Sequence, residues 1–197
     1  GRPDENEAIV QSISSRLRVE NSVFVENSGN AVLSNFNDAV LEVAHNSFAF
    51  NDGSGVRLAG ELDATIVNNI FSHNQRFGII EDTDEADPVV VEGNMFFENI
   101  AGVYFDEGQT ALDTTDTLNA VIQGAAQNYS GDPAYISLAS GNLRLRAESA
   151  AIDRAVEAHV LPVDQDNFAR PHGNGADVGA FEMRPDLLNP EGEDDGE

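Results

Sequence analysis

The sequence contains neither cysteine nor lysine. Without cysteine, the chain can form no disulfide and no cysteine-ligated metal site, and it offers no thiol nucleophile. It also lacks any apolar run near the roughly 18 residues that a membrane-spanning helix requires, which predicts no membrane insertion. Because lysine is absent, every basic residue is an arginine, and 10 arginines stand against 35 acidic residues for a formal charge of −25.

The acidic excess limits the classes of partner. A surface of this charge repels nucleic acid and anionic membranes, so we expect no nucleic-acid partner. It attracts cations and stays soluble at high salt, where screening weakens the self-repulsion. An acidic composition without lysine is typical of halophilic proteins and indicates a saline source. The 41% share of hydrophobic residues is ordinary for a folded protein, and 197 residues suffice for one substantial core.

An asparagine-rich phrase with one internal spacing occurs four times. Its phenylalanines lie 24, 23 and 25 residues apart, and its closing asparagines keep these intervals. A fixed period of this length indicates stacked supersecondary units, none of which can bury a face alone. The phenylalanines are Phe24, Phe48, Phe71 and Phe96, and the closing asparagines are Asn27, Asn51, Asn74 and Asn99.

Short β-branched stretches between asparagine and glycine turns predict strands with alternate residues on one face. Two or three such strands in each turn of 23–25 residues predict an all-β fold, a parallel β-solenoid. Inside it the phenylalanines stack, and the asparagines one position into the phrase form a structural ladder. The ladder consists of Ser22, Asn46, Asn69 and Asn94, and the strand starts align as Ala31-Val32, Gly55-Val56, Gly78-Ile79 and Gly102-Val103.

The chain is predicted to be one β-helix domain over residues 1–182, followed by an acidic tail over residues 183–197 that cannot pack. Regular turns cover residues 8–105, and residues 106–182 form irregular terminal turns and a cap. Ala8-Ile9 precedes Ala31-Val32 by 23 residues, so the chain enters the coil in mid-turn. An uncapped coil end exposes strand edges. We therefore expect either further chain upstream or end-to-end contact with another protein at the N-terminal end.

A series of short motifs occupies the second half: DPAY (132–135), SGNLRL (140–145), SAAID (149–153), DQDNFARP (164–171) and DVGAFE (177–182). With the repeats, this order resembles the right-handed parallel β-helix proteins of the pectate-lyase-like superfamily, in particular the C-terminal region of secreted bacterial "choice-of-anchor" proteins. The sequence departs from that pattern at Ala150 and Asn167, where proline and glycine are usual. Arg170 with Asp177 or Glu182 is suited to a bidentate pair that pins the last segment to the coil.

The resemblance implies a secreted or cell-surface module, the C-terminal part of a longer protein, that binds or acts on extracellular polysaccharide. Two alternatives stay open. One is a polysaccharide lyase, epimerase or hydrolase active on acidic glycans, and the other is a structural subunit of an extracellular assembly. Because a fold alone does not decide function, the sequence leaves open whether the protein is an enzyme.

Two arginines are candidate catalytic residues, because lyases of this superfamily use an arginine or lysine base. Arg57 and Arg76 lie in the second and third turns, close to strand starts. Arg57 alternates with Val56 and Leu58, which face inward, so it is expected on the outer surface. Outward arginines on an acidic surface are more often solvated or ion-paired, and deprotonating a guanidinium is unfavourable at ordinary pH.

Acidic residues crowd the loop after the third repeat and recur after the fourth. Oxygen ligands at this density suit Ca²⁺, which takes six to eight of them. Asp82 and Asp106 each follow their turn's glycine by four residues, which indicates equivalent positions. Chance clustering is the competing explanation in so acidic a chain. The candidate Ca²⁺ ligands are Glu81, Asp82, Asp84, Asp106 and Glu107, and no other cofactor is predicted.

Overall fold

The chain forms a parallel β-solenoid of about four turns in the computed structural model, which describes residues 8–35, 39–107 and 111–187. Each turn contributes one short strand to each of three sheets, A, B and C, and strands of successive turns pair in parallel. The predicted all-β fold is therefore confirmed.

The strands follow one another in the order A, B, C within each turn. The first turn consists of β1 (Ala8–Ile13), β2 (Arg16–Glu20) and β3 (Val23–Val25). The second consists of β4 (Asn30–Asn35), β5 (Ala39–Ala44) and β6 (Ser47–Ala49). The third consists of β7 (Val56–Ala59), β8 (Leu62–Val67) and β9 (Ile70–Ser72). The fourth consists of β10 (Phe77–Glu81), β11 (Val90–Glu92) and β12 (Met95–Phe97).

A partial fifth turn closes the coil. It comprises β13 (Gly102–Phe105), the antiparallel β14 (Ala111–Leu112), helix α1 (Thr115–Val121), β15 (Ala125–Ala126) and β16 (Tyr129–Ser130). Helix α1 covers the end of the core with Leu118, which is fully buried. The side chain of Thr114 caps the N-terminus of the helix. The sequence predicts only an irregular turn here, since seven residues are too few to display a helical period.

The phenylalanine column is confirmed as a stack along the coil axis. Ring centroids of successive phenylalanines lie 5.0, 4.9 and 5.2 Å apart with nearly parallel planes. Glycines make room for the rings: a Cβ on Gly78 would lie 2.5 Å from Cε1 of Phe96. The repeat therefore encodes both the large residue of the stack and the small residue beside it.

The asparagine ladder is also confirmed, and a second ladder runs parallel to it. In the first, Asn46 Nδ2 donates to Asn69 Oδ1 at 2.9 Å, and Asn69 Nδ2 donates to Asn94 Oδ1 at 3.0 Å. The same oxygens also accept the backbone N–H of the preceding turn. The closing asparagines repeat this arrangement at 2.7, 2.8 and 2.9 Å in the order Asn27, Asn51, Asn74 and Asn99. Both columns satisfy buried backbone at tight corners, which is a structural role.

The first ladder continues one turn beyond the recognisable repeats. Asn94 Nδ2 donates to Asn128 Oδ1 at 3.1 Å, although 34 residues rather than about 24 separate the two. Asn128 in turn donates its backbone N–H and its Nδ2 to Oδ1 of Asn119 in α1, at 3.1 and 2.8 Å. The helix thus supplies the amide that a further turn would have supplied.

The register of sheet A corrects the sequence alignment by one residue at both ends. Gly102 pairs with Phe77, and Ile79 pairs with Tyr104, so the alignment of Gly78 with Gly102 is wrong. At the other end Val10, rather than Ile9, pairs with Val32. Turns of unequal length carry their extra residues in the connections, which a fixed spacing cannot locate.

The segment after β16 folds back over the outer face of sheet C. It contains the antiparallel pair β17 (Tyr135–Ser137) and β18 (Asn142–Leu145), and three 3-10 turns at Leu138–Ser140, Glu157–His159 and Pro185–Leu187. Outward-facing Ile70 and Met95 of sheet C are fully buried in a second hydrophobic core with Leu143, Val178 and Phe181 of this segment. Sheet C is therefore covered on both faces.

A buried ion pair of Arg170 with Glu182 anchors this segment, which confirms the predicted partner, but one guanidinium nitrogen contacts Glu182 instead of the predicted bidentate two. Arg170 Nη1 donates to Glu182 Oε1 at 2.6 Å and to the backbone oxygen of Asp177 at 2.9 Å, and the side chains of Arg170 and Glu182 are inaccessible to solvent. Arg170 Nη2 reaches the backbone oxygen of Gly179 at 2.8 Å. Most of the predicted acidic tail, residues 188–197, lies outside the described residues.

Candidate functional site

Glu81 is the most unusual charged residue among those that the structure describes. It is the last residue of β10 and pairs across sheet A with Leu58, a fully buried core residue. Its side chain therefore lies on the inward face of the sheet, and only 1% of the residue is exposed. Neither carboxylate oxygen has a hydrogen-bond partner among the described residues. Burial of a carboxylate without donors is costly and needs an explanation.

Two further carboxylates converge on Glu81 from the next turn. Asp106 and Glu107 directly follow β13, and one oxygen from each of the three residues lies within 4.8 Å of the others. Both residues are half-buried, and Oε2 of Glu107 is also buried without a partner. We call Glu81, Asp106 and Glu107 the carboxylate cluster.

Two acids of the cluster have raised pKa values. Burial is the main cause that raises the pKa of Glu81 to about 10, and contact with Glu107 adds to it, since a protonated carboxyl can hydrogen-bond its neighbour. Burial and the charge of Glu107 likewise raise the pKa of Asp106 above its ordinary value. Asp87 adds repulsion to both acids, and Asp84 adds repulsion to Asp106.

The other predicted calcium ligands lie outside the cluster. Asp82 forms an ion pair with Nε of Arg57, and Arg57 is the residue that the sequence places on the outer face of sheet A. The one-residue register shift explains this separation, because Asp106 follows the pair Ile80–Phe105 and so comes level with Glu81 rather than Asp82. Asp84 is exposed in the loop beyond Asp82. The structure therefore brings together three of the five predicted ligands.

The two candidate catalytic arginines lie in different surroundings. The Arg57 side chain is only 15% exposed and is engaged by Asp82. Arg76 is exposed in the connection between sheets C and A, just before β10. A catalytic role for either residue stays a prediction, and the ion pair of Arg57 with Asp82 counts against its acting as a base.

An aromatic pair lies at the end of sheet A. The rings of Phe77 and Phe105 have centroids 5.3 Å apart and are tilted by 43°. Phe77 packs over Gly102, where an added Cβ would lie 3.1 Å from Phe77 Cε1. Both phenylalanines are half-buried. We call Phe77 and Phe105 the aromatic platform; sequence reasoning missed it, although both residues stand outside the stacked phenylalanine column.

Gly102 also lines a cavity of about 240 Å³ beside the platform. The cavity carries two carboxylates, Glu98 and Asp113, and the hydroxyl of Ser130. Asp113 lies close to the platform, since its Oδ1 would be 3.2 Å from a Cβ on Gly102. Flat apolar rings and hydrogen-bond acceptors therefore occur side by side at this end of the coil.

A larger cavity, of about 450 Å³, lies within the C-terminal segment. Its volume is in the range of small-molecule sites. Its lining offers one carboxylate and neither aromatic nor cationic side chains, so it provides little for recognising a charged ligand or a sugar ring. The lining residues are Ala155, Glu157, Val160, Pro171, Asn174, Gly175 and Ala176.

Comparison with protein families agrees with the coil geometry. The family described as "Right handed beta helix region" matches residues 5–138, more than half of the chain. The chain belongs to the right-handed β-helix family. Comparisons with curated proteins and with solved structures gave no significant match. Among the described residues, this β-helix protein has no helix that is long and apolar enough to cross a membrane.

The family match includes the carboxylate cluster and the aromatic platform but ends within the C-terminal segment. The resemblance of residues 132–182 to the choice-of-anchor pattern therefore stays a prediction. The β-helix fold is consistent with polysaccharide-related proteins, but a fold by itself names no substrate.

Proposed function

We propose that this β-helix protein is a secreted or cell-surface module that binds extracellular polysaccharide. Sugar rings stack on Phe77 and Phe105, and sugar hydroxyls donate hydrogen bonds to Asp113 and Glu98. The observation that carries this proposal is the aromatic platform on the neighbouring strands β10 and β13 of sheet A, which meets, at Gly102, a cavity lined by two carboxylates.

The chemistry of the platform suits a carbohydrate. A pyranose ring has an apolar face of C–H groups and a polar rim, so it needs a flat apolar surface and hydrogen-bonding groups at its border. Aromatic side chains supply large rigid contact area, and charged acceptors form the stronger hydrogen bonds. Phe77 and Phe105 supply the apolar surface, while Asp113 and Glu98 supply the hydrogen-bond acceptors.

The position of the platform favours binding of a polymer along sheet A. The outer face of sheet C is covered by the C-terminal segment, so a long chain has no access there. The formal charge of −25 repels polyuronates at low salt, although this repulsion weakens as ionic strength rises. We therefore expect neutral glycans to bind more tightly than acidic ones.

Affinity electrophoresis with soluble polysaccharides tests the proposal. Migration of the protein is compared in gels containing xylan, mannan, alginate or pectate, and at least one neutral polymer is expected to retard it. The double variant Phe77→Leu, Phe105→Leu keeps apolar volume but loses both flat rings, so retardation should fall by about tenfold or more.

A matched control is Phe168→Leu, since Phe168 is another half-buried phenylalanine but lies on the C-terminal segment. It should leave retardation unchanged, and melting temperatures of all variants confirm folding. Equal loss in the control and in the double variant, or no retardation by any polymer, would overturn the proposal.

A further inference from the structure

The carboxylate cluster takes no part in the proposed binding of polysaccharide. Glu81 occupies an inward-facing position of sheet A, where the coil otherwise buries apolar side chains such as Ile79 and Leu58. The acidic residues that adjoin it are Asp106 and Glu107, and both are half-buried. Like charges at this separation and burial repel strongly unless a counter-charge or a proton is present.

The described residues supply no counter-charge to this cluster. Both oxygens of Glu81 and Oε2 of Glu107 are buried without a hydrogen-bond partner. Arg57, on the neighbouring strand β7, pairs through its Nε with Asp82 instead. Three carboxylates thus converge on one volume. Among the described residues, no donor outside the cluster reaches either oxygen of Glu81 or Oε2 of Glu107.

The backbone holds these acids in place. Glu81 is fixed by the pairing of β10 with β7, and Asp106 and Glu107 follow β13 directly. The loop after Glu81 is anchored by Ala86, which is fully buried in the main core. Thr83 adds a hydrogen bond from Gly60 N to its Oγ1 at 3.0 Å. The acids therefore converge because of the fold and not because of mobile surface chains.

We propose that Glu81, Asp106 and Glu107 together bind one Ca²⁺ ion at the junction of the fourth and fifth turns. Ca²⁺ accepts six to eight oxygens at about 2.3–2.6 Å in irregular geometry, so two oxygens on one ion lie at most about 5 Å apart. The separation of at most 4.8 Å among the three carboxylates satisfies this limit. Several carboxylates binding directly, without an octahedral frame, favour Ca²⁺ over Mg²⁺.

The ion would also stabilise the coil, because it links the end of β10 to the residues after β13. A ligand that binds only the folded state raises stability by mass action. At a Ca²⁺ concentration 100 times the dissociation constant, we expect the melting temperature to rise by about 5–10 °C.

Calorimetric titration of EDTA-treated, dialysed protein with CaCl₂ in about 0.15 M NaCl tests this site, with the salt screening diffuse attraction to the acidic surface. We expect one saturable site per chain. Glu81→Gln should weaken binding at least about tenfold and abolish the Ca²⁺-dependent rise in melting temperature. Without Ca²⁺, the same variant should melt no lower than the wild type, because the substitution relieves repulsion.

Asp63→Asn is the matched control, since it removes one negative charge from an exposed position on β8 in sheet B. It should leave the affinity within about twofold of the wild-type value. If Glu81→Gln fails to fold, Glu107→Gln is read by the same criteria. The site is refuted by unchanged binding in the cluster variant, by equal weakening in the control, or by the absence of binding heat up to millimolar Ca²⁺. Equal affinity for Mg²⁺ would overturn the choice of ion. None of these results depends on whether a polysaccharide binds.

Discussion

The coil and the C-terminal segment bury polar groups by different chemistry. In the coil, neutral amides pair with copies of themselves one turn away, at 2.7–3.1 Å. In the segment, buried charges do this work: Glu182 pairs with Arg170, and the Asp164 carboxylate accepts backbone N–H groups from Asp166, Phe168 and Glu182. A repeating chain obtains a matching partner at every turn, whereas a non-repeating one needs strong single acceptors.

The largest effect is expected from breaking the buried ion pair. Glu182→Gln removes the counter-charge of Arg170, and both side chains are inaccessible to solvent. Loss of one partner of a buried pair typically costs about 3–5 kcal/mol, because the other charge stays buried. Urea unfolding, followed by circular dichroism, measures the change in the free energy of unfolding.

The control for this prediction is the pair Arg184–Asp186, which lies in the same segment and whose Asp186 is exposed. Asp186→Asn should produce no measurable change, since exposed pairs contribute little. If both variants lose the same stability, burial of the Arg170 pair is not what anchors the segment.

A somewhat smaller effect is expected in the middle of the first ladder. Asn69→Ala removes the side-chain donor to the backbone oxygens of Val43 and Val67 and the acceptor of Asn46, although the oxygen of Val67 keeps the backbone N–H of His45. Buried groups left unpaired cost about 1–3 kcal/mol each, and partial relaxation limits the total to about 2–4 kcal/mol.

The end of the ladder provides the comparison for Asn69. Ser22 makes a hydroxyl bond to the backbone oxygen of Glu20 in its own turn, so Ser22→Ala should cost less than about 1 kcal/mol. Equal costs at the two positions in urea unfolding would show that the ladder is not cooperative along its length.

The smallest effect depends on pH and tests the junction of the two regions. His45 lies in the corner between β5 and β6, fully buried, and its Nε2 accepts from Asn68 Nδ2 at 3.2 Å. Burial is the main cause that lowers its pKa from 6.5 to about 3, and the charge of Arg170 contributes. Between these two values the unfolded chain binds a proton that the folded chain does not.

The stability contributed by neutral His45 is therefore present above pH 6.5 and is lost as the pH falls toward 3. Lowering the pH from 7 to 4.5 should cost the wild type about 2–3 kcal/mol more than His45→Gln, whose amide oxygen can still accept from Asn68. Urea unfolding at both pH values gives this difference, and titration of the carboxylates cancels between the proteins. Parallel pH profiles would contradict the assigned cause.

Repetition explains which features could be predicted. The phenylalanine stack and the first asparagine ladder recur at a fixed interval, so their inward positions follow from the spacing. The place of Asn128 in the ladder does not follow from the spacing, because α1 lengthens its interval to 34 residues. Composition locates the acidic cluster, but the spacing aligns Asp106 with Asp82, and only the pairing of β10 with β13 reveals that Asp106 comes level with Glu81.

The C-terminal segment was less predictable because its contacts join residues far apart in the chain. Asn21, for example, donates to the backbone oxygen of Val163, 142 residues away. Residue types predict the pairing of Arg170 with an acidic partner, but they do not predict that the segment packs on sheet C. No periodic pattern links Ile70 to Gly179, against which it packs, so the sequence carries no local signal for that contact.

Asn119 takes the place that an asparagine of a further turn would occupy, and this has a consequence for how such a protein changes length. Because the helix presents the same acceptor that every asparagine of the column presents, the terminator does not depend on how many units precede it. Whole units of 23–25 residues can be duplicated or removed upstream while the last unit keeps its closure. Length is thus a separately adjustable property, counted in units, and the distance between features on different units can evolve or be engineered in fixed increments.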